Sequence, residues 1–194
     1  MYSQCYNMVE ASETGAKNNV ENSILNIVEV EGGRYVNVDV TIDEGIDQAA
    51  RLNLVESNLA DIIVSPLLHK ASTTLFAGSQ RQGRFMAVFR DPVERIISLY
   101  YYLQKATWEP TYNPIFKDMT LEQFAISPYC ESNFVGRSLI NKMEEPLTIT
   151  DVESSKKILR EKCLIGLLND LPTSIKRFDS YFGFVDGNGL LLCV

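Results

Sequence analysis

Arg90 and Ser98 are the residues whose types and spacing most directly suggest chemistry in this chain. Residues 84–89 read as a strand that delivers Arg90 into a turn, and Asp91 then caps a helix whose first residue is Pro92. Ser98 follows Arg90 by eight positions, about two turns into that helix. A cation at a strand end, followed by a helix with an inward hydroxyl, suits the grip on one phosphate of a nucleotide. The same run also reads as a purely structural helix. Ile96, Ile97, Tyr100, Tyr101 and Leu103 recur at helical spacing, and Glu94 suits the positive end of the helix dipole. The second chemical group is His69, the only histidine. An imidazole with an ordinary pKa near neutrality fits a general base that takes the proton of an attacking hydroxyl. A surface or capping role is the plain alternative.

These residues need a scaffold, and the hydrophobic pattern supplies one. Residues 35–40 alternate polar and β-branched side chains and predict a strand; Asp43 then caps a helix to about residue 53. Residues 61–65 form a continuous apolar run, as in a buried parallel strand, and lead through Pro66-Leu67-Leu68 to His69. Residues 70–76 read as a helix or tight turn, 78–83 as a polar loop, and the helix from Pro92 runs to about 107. Thr120 opens a short helix with a capping-box pattern. A helix from 150 to 162, a strand over 163–168 and a helix over 172–181 follow. Residues 1–22 are polar and aperiodic, hence loop or frayed helix, and 23–31 carry no clear period.

Alternating strands and helices predict an α/β fold, a mostly parallel sheet with helices on both faces. Ligands in such sheets bind beyond the carboxyl ends of the strands. His69 and Arg90 both follow predicted strand ends, which places them at one crevice. The proline- and aromatic-rich stretch 108–114 either shapes an acceptor cleft there or packs on the surface.

Composition sets outer limits. The 194 residues suffice for one domain, and 45% hydrophobic with 22% charged residues is ordinary for a globular chain. A net charge of −7 argues against a nucleic-acid binder, which needs clustered excess cation. Basic groups at Arg81 with Arg84, and at Lys156, Lys157, Arg160 and Lys162, read as solvated faces or as a local patch for an anionic glycan. The cysteines at 5, 130, 163 and 193 show no metal spacing and no disulfide framework; Cys163 opens an apolar run and reads as a buried free thiol. No segment has the length and apolarity of a membrane span, and no signal peptide is visible.

The segment Phe89-Arg90-Asp91-Pro92-Val93-Glu94-Arg95-Ile96-Ile97-Ser98-Leu99-Tyr100 resembles the 3′-phosphate motif of sulfotransferases that use 3′-phosphoadenosine 5′-phosphosulfate (PAPS) as donor. The resemblance implies that Arg90 and Ser98 hold the 3′-phosphate. It also implies a P-loop-NTPase-like sulfotransferase architecture over residues 35–184, with 1–34 as a poorly defined N-terminal segment and 185–194 as a C-terminal tail. The position of His69 is similar to that of the catalytic histidine in the branch of heparan sulfate 2-O-sulfotransferases and uronyl sulfotransferases. That branch has His-Gly-His where this chain reads Leu67-Leu68-His69. Residues 133–137 look like a segment that follows the cleft in related enzymes.

One family feature is not found. The loop after the first strand that holds the phosphosulfate, of the Pro-Lys-Thr-Gly-Thr type, has no counterpart before Tyr35. Lys70-Ala71-Ser72-Thr73-Thr74-Leu75 imitates it without the glycine, directly after His69, and reads as a helix start. The expectation is therefore that the first strand and its loop are missing, as in an N-terminal truncation. The resemblance implies transfer of a sulfuryl group from PAPS to a hydroxyl of a glycan, without a metal. The alternative is a non-catalytic nucleotide- or glycan-binding remnant. It also implies the Golgi, although this chain as written shows no anchor and is expected to be soluble.

Overall fold

A computed structural model describes residues 2–17, 23–109 and 111–184. The centre of the larger sheet is a strand of three residues, β1 (Val9–Ala11), whose Val9 and Ala11 are buried. It pairs in parallel with β3 (Gly33–Val36) on one side and with β4 (Ile62–Ile63) on the other. On the far side of β3, β2 (Ile27–Val30) pairs antiparallel, so the order is β2-β3-β1-β4. A second ladder joins β5 (Phe85–Phe89) to β6 (Cys163–Leu167) in parallel, with Phe85 opposite Cys163 and Phe89 opposite Leu167. The chain is thus mixed α/β with mostly parallel pairing, divided among the described residues into two ladders.

β1 corrects, at residues 9–11, the reading of residues 1–22 as loop or frayed helix. Three residues carry no usable period, and the strand is made by its neighbours. Val9 N donates to the Asp61 carboxylate at 2.8 Å, Val9 O accepts from Asp61 N at 2.8 Å, and Ala11 O accepts from Val64 N at 2.9 Å. The sheet runs continuously through residue 34, since Arg34 lies opposite Val9. β1 also explains why β3 is shorter than residues 35–40. The last pair is Ala11 with Val36, and beyond it the partner strand has turned away. Val38 and Val40 stay buried outside the ladder, and Asn37 is held by Asn26 and Ile24 instead. Tail residues 185–194 lie outside the described residues.

Short helices close both ends of β1: α1 (Tyr2–Cys5) before it and α2 (Glu13–Ala16) after it. The core under the sheet joins Val9, Ala11, Val36, Val38 and Val40 to Ile46 and Ala49 of α3 (Asp43–Arg51), Leu54 of α4 (Leu54–Ser57), and Ala71 and Leu75 of α5 (Leu68–Leu75). Asp43 does not cap α3. Ile42 holds the cap position without a side-chain bond, and Asp43 in the first turn pairs with Lys70 at 3.5 Å, beside an Asp47–Lys70 contact of 2.9 Å.

The second core is built on α6 (Pro92–Leu103), where Asp91 accepts from Val93 N at 2.9 Å and Glu94 N at 3.2 Å. Tyr100 and Leu103 meet Phe116 and Phe124, with Ile96 and Leu99 packed alongside. Phe124 belongs to α7 (Leu121–Ala125), opened by the predicted Thr120–Gln123 capping box. The remaining helices are α8 (Phe134–Ile140), α9 (Ile149–Lys162) and α10 (Leu171–Phe182). No helix among the described residues is long and apolar enough to cross a membrane.

Two glycines mark where helices press on backbone. A Cβ on Gly15 of α2 would stand 2.1 Å from Val36 O, and one on Gly45 of α3 would stand 1.6 Å from Asp39 O. Both contacts are with main chain, which cannot swing aside. Gly15→Ala should therefore destabilise the fold by about 1–3 kcal/mol, the usual scale of overpacking. Urea unfolding beside the parent measures this, and an unchanged midpoint would mean that α2 does not lie against β3.

Candidate functional site

Where β1 and β3 end, the chain leaves the sheet and opens a cleft of about 560 Å³. Glu13, Ala16 and Lys17 come from α2 and its C-cap, and Asp39 from the stretch after β3. Tyr102 projects from the last turn of α6, and Trp108 and Glu109 from the loop that follows. The cleft thus lies at the carboxyl ends of parallel strands, where α/β sheets place ligands. Trp108 and Glu109 fall in the aromatic loop that sequence reading offered as a cleft wall. Glu13, Lys17, Asp39 and Tyr102 carried no signal, because their meeting depends on β1.

Polar groups in the cleft are partly committed to one another. The Tyr102 hydroxyl donates to the Glu109 carboxylate, and the Tyr102 and Trp108 rings meet edge to face at 6.5 Å. Asp39 Oδ1 accepts from Thr41 N at 2.8 Å and from Thr41 Oγ1 at 2.6 Å. Trp108 is 73% exposed, an open indole face beside the cavity. Immediately before Glu13, Ser12 is only 4% exposed, and its hydroxyl has no hydrogen-bond partner.

None of the three residues singled out from the sequence lines this cleft. His69 is the second residue of α5, half-buried; its carbonyl accepts from Ser72 Oγ at 2.9 Å and Thr73 Oγ1 at 2.8 Å. Residues 70–75 are helical, as part of α5. Arg90 follows β5 directly, is exposed, and places Nε 3.6 Å from Glu94 Oε2. An exposed pair of this kind is worth about 0.2–1 kcal/mol. His69 follows the edge strand β4 whereas Arg90 follows β5 of the other ladder, so their common crevice is not built by adjacent strands.

Ser98 and Tyr102 are connected by helix geometry. Glu94, Ser98 and Tyr102 are spaced four apart on α6, and such residues share a face. That face lies away from Ile96, Leu99, Tyr100 and Leu103, which fill the second core. It runs about 12 Å, from the Arg90–Glu94 pair to the cleft.

Other candidates are structural. Arg137 is spent on carbonyls, donating to Ser132 O at 2.9 Å, Lys142 O at 3.1 Å and Glu145 O at 2.7 Å. Arg81 bonds Asn58 at 2.6 Å and Lys156 pairs with Glu153 at 2.8 Å. Cys163 is free, and burial pushes its thiol up to about 11, far from a thiolate nucleophile. Among the described residues, no group of three or more His, Cys, Asp or Glu side chains could hold a metal ion. No protein-family model matches the chain, and no curated protein or solved structure matches it either.

The Tyr102–Glu109 bond has a titration signature. The hydrogen bond to Glu109 holds the Tyr102 phenol above its ordinary value, with partial desolvation and the charges of Glu109 and Glu13 adding to it. Ionising the phenol would set two negative charges together. The bond's contribution to stability is therefore full below pH ~10 and fades as pH rises through the elevated value. Tyrosinate absorbance, taken as the difference between parent and Tyr102→Phe, should show a late step that Glu109→Gln moves to lower pH. A step unmoved by Glu109→Gln would contradict the bond.

Proposed function

We propose that this chain is a PAPS-dependent carbohydrate sulfotransferase domain of P-loop-NTPase-like architecture. The observation that carries the reading is the unit from β5 to α6. A parallel strand ends in Arg90, Asp91 fixes the helix start with two backbone bonds, and Ser98 stands on the face turned away from the core. Arg90 supplies a charge-assisted contact to the 3′-phosphate of the donor and Ser98 a neutral hydrogen bond. β1 supports the reading further, since the sheet has a central strand ahead of residue 35, followed by the turn that carries Ser12 and Lys17.

In the reaction, an acceptor hydroxyl oxygen bonds to sulfur as the bond from sulfur to the donor's 5′-phosphate oxygen breaks. The hydroxyl proton passes to a base, assigned to His69, and 3′,5′-adenosine bisphosphate departs. The placement of His69 in α5, outside the cleft lining, favours a second reading: a non-catalytic nucleotide- or glycan-binding remnant. The compartment implied by the resemblance is the Golgi lumen.

Calorimetry with 3′,5′-adenosine bisphosphate, against adenosine 5′-phosphate, tests the clamp. Arg90→Ala should weaken bisphosphate binding by about 1.5–3 kcal/mol and Ser98→Ala by about 0.5–1.5 kcal/mol. Equal affinity of the parent for the two nucleotides would sink the assignment. His69→Ala should lower sulfuryl transfer by about 10²–10⁴-fold with nucleotide affinity unchanged. Bisphosphate binding without any turnover by the parent selects the remnant.

A further inference from the structure

The cleft that the sulfotransferase motif leaves unexplained joins an open aromatic wall to an excess of carboxylates. We infer that it binds a linear aliphatic diamine or polyamine, with the methylene stem on the Trp108 indole and the ammonium groups among Glu13, Asp39 and Glu109. This goes beyond the sulfotransferase reading and does not depend on it.

The aromatic wall carries the inference. Trp108 is 73% exposed although it lines a cavity of about 560 Å³, and its ring meets Tyr102 edge to face at 6.5 Å. A cavity of that size lies within the range of small-molecule clefts. An uncovered indole face offers apolar surface to an alkyl stem. It also attracts positive charge, for which tryptophan is the best of the aromatic rings. One flat wall therefore serves both parts of an amine chain, as the stems of lysine side chains lie on apolar surface while their heads stay wet.

Charge sets the sign of the ligand. Glu13, Asp39 and Glu109 line the cavity with Lys17 as the single cation among the described lining residues, three negative charges against one positive. Glu109 accepts from the Tyr102 hydroxyl and Asp39 from Thr41, donors that are neutral and leave both carboxylates charged. Each carboxylate has about four lone-pair sites and accepts further N–H donors. The same carboxylates do not converge on one point. Among the described residues, no three acidic, His or Cys side chains form a group that could hold a metal ion. Carboxylates spread around an indole suit charges set apart along a chain, and a compact dication has no stem for the indole.

Trp108 is the only tryptophan, so its emission reports on the cleft of the full chain without labelling. At constant ionic strength, 1,5-diaminopentane and spermidine should each give a saturable change. n-Pentylamine should bind about two- to fivefold more weakly than the diamine, the scale of one exposed charge pair. The uncharged 1,5-pentanediol and magnesium chloride should give no saturable change over the same range. By calorimetry, Trp108→Ala should weaken the diamine by about two- to fivefold and Trp108→Phe by less, both with melting temperature unchanged. Glu13→Gln should weaken it by a similar factor, about two- to fivefold. No saturable response to either amine overturns the inference. A response to the diol equal to that of the diamine overturns it too, since the charges would then be idle. So does an equal response to magnesium, since the cleft would then gather counterions only. These titrations omit nucleotide, so their failure leaves the Arg90–Ser98 clamp standing, and failure of bisphosphate binding leaves the amine cleft standing.

Discussion

The parallel pairing of Ala11 with Val36 on one side and Ile63 on the other is the constraint on which the larger sheet depends. A central parallel strand has no free edge, so its backbone groups are satisfied only if both neighbours arrive in register. Asp61 secures that register by bonding both backbone groups of Val9. Because β1 stops at Ala11, the chain must cross the carboxyl end of the sheet at once. It does so through Ser12 and Gly15, the latter pressed against Val36 O. The cleft wall formed by Glu13, Ala16 and Lys17 is a direct result.

The opposite wall comes from a helix with two duties. One face of α6 is fixed by Tyr100, Leu103, Ile96 and Leu99 in an aromatic core with Phe116 and Phe124. Tyr100 also donates to Met119 O at 2.7 Å, which fixes rotation as well as depth. With that face locked, the spacing of the helix leaves Glu94, Ser98 and Tyr102 on the other. A rigid core thereby holds the Arg90–Glu94 pair at one end and Tyr102 at the other in one fixed relation.

The two ends carry different groups. Arg90 is an exposed guanidinium in a weak, solvent-exposed pair with Glu94. In the cleft, Glu109 accepts from the Tyr102 hydroxyl and Asp39 from Thr41, and Lys17 lines the same cavity. His69 belongs to neither end. It is carried by α5, whose Lys70 is tied to Asp43 and Asp47 of α3.

Features that depend on nearby residues were legible in the sequence alone. Asp91 before Pro92, the Thr120–Gln123 box and the α9 and α10 patterns all act through bonds spanning a few residues, and the structure has them where expected. Tertiary structure decided what depends on distant partners. Val9-Glu10-Ala11 has no pattern of its own and becomes a strand because Asp61, 52 positions from Val9, and Arg34 bind it. The ends of β3 and β4 follow from the length of β1, which explains why residues 37–40 and 64–65 read as strand yet lie outside the ladder. The cleft was hidden for the same reason. Glu13, Asp39, Tyr102 and Trp108 have no spacing in common, and only the packing of α2 and α6 over one end of a parallel sheet brings them together.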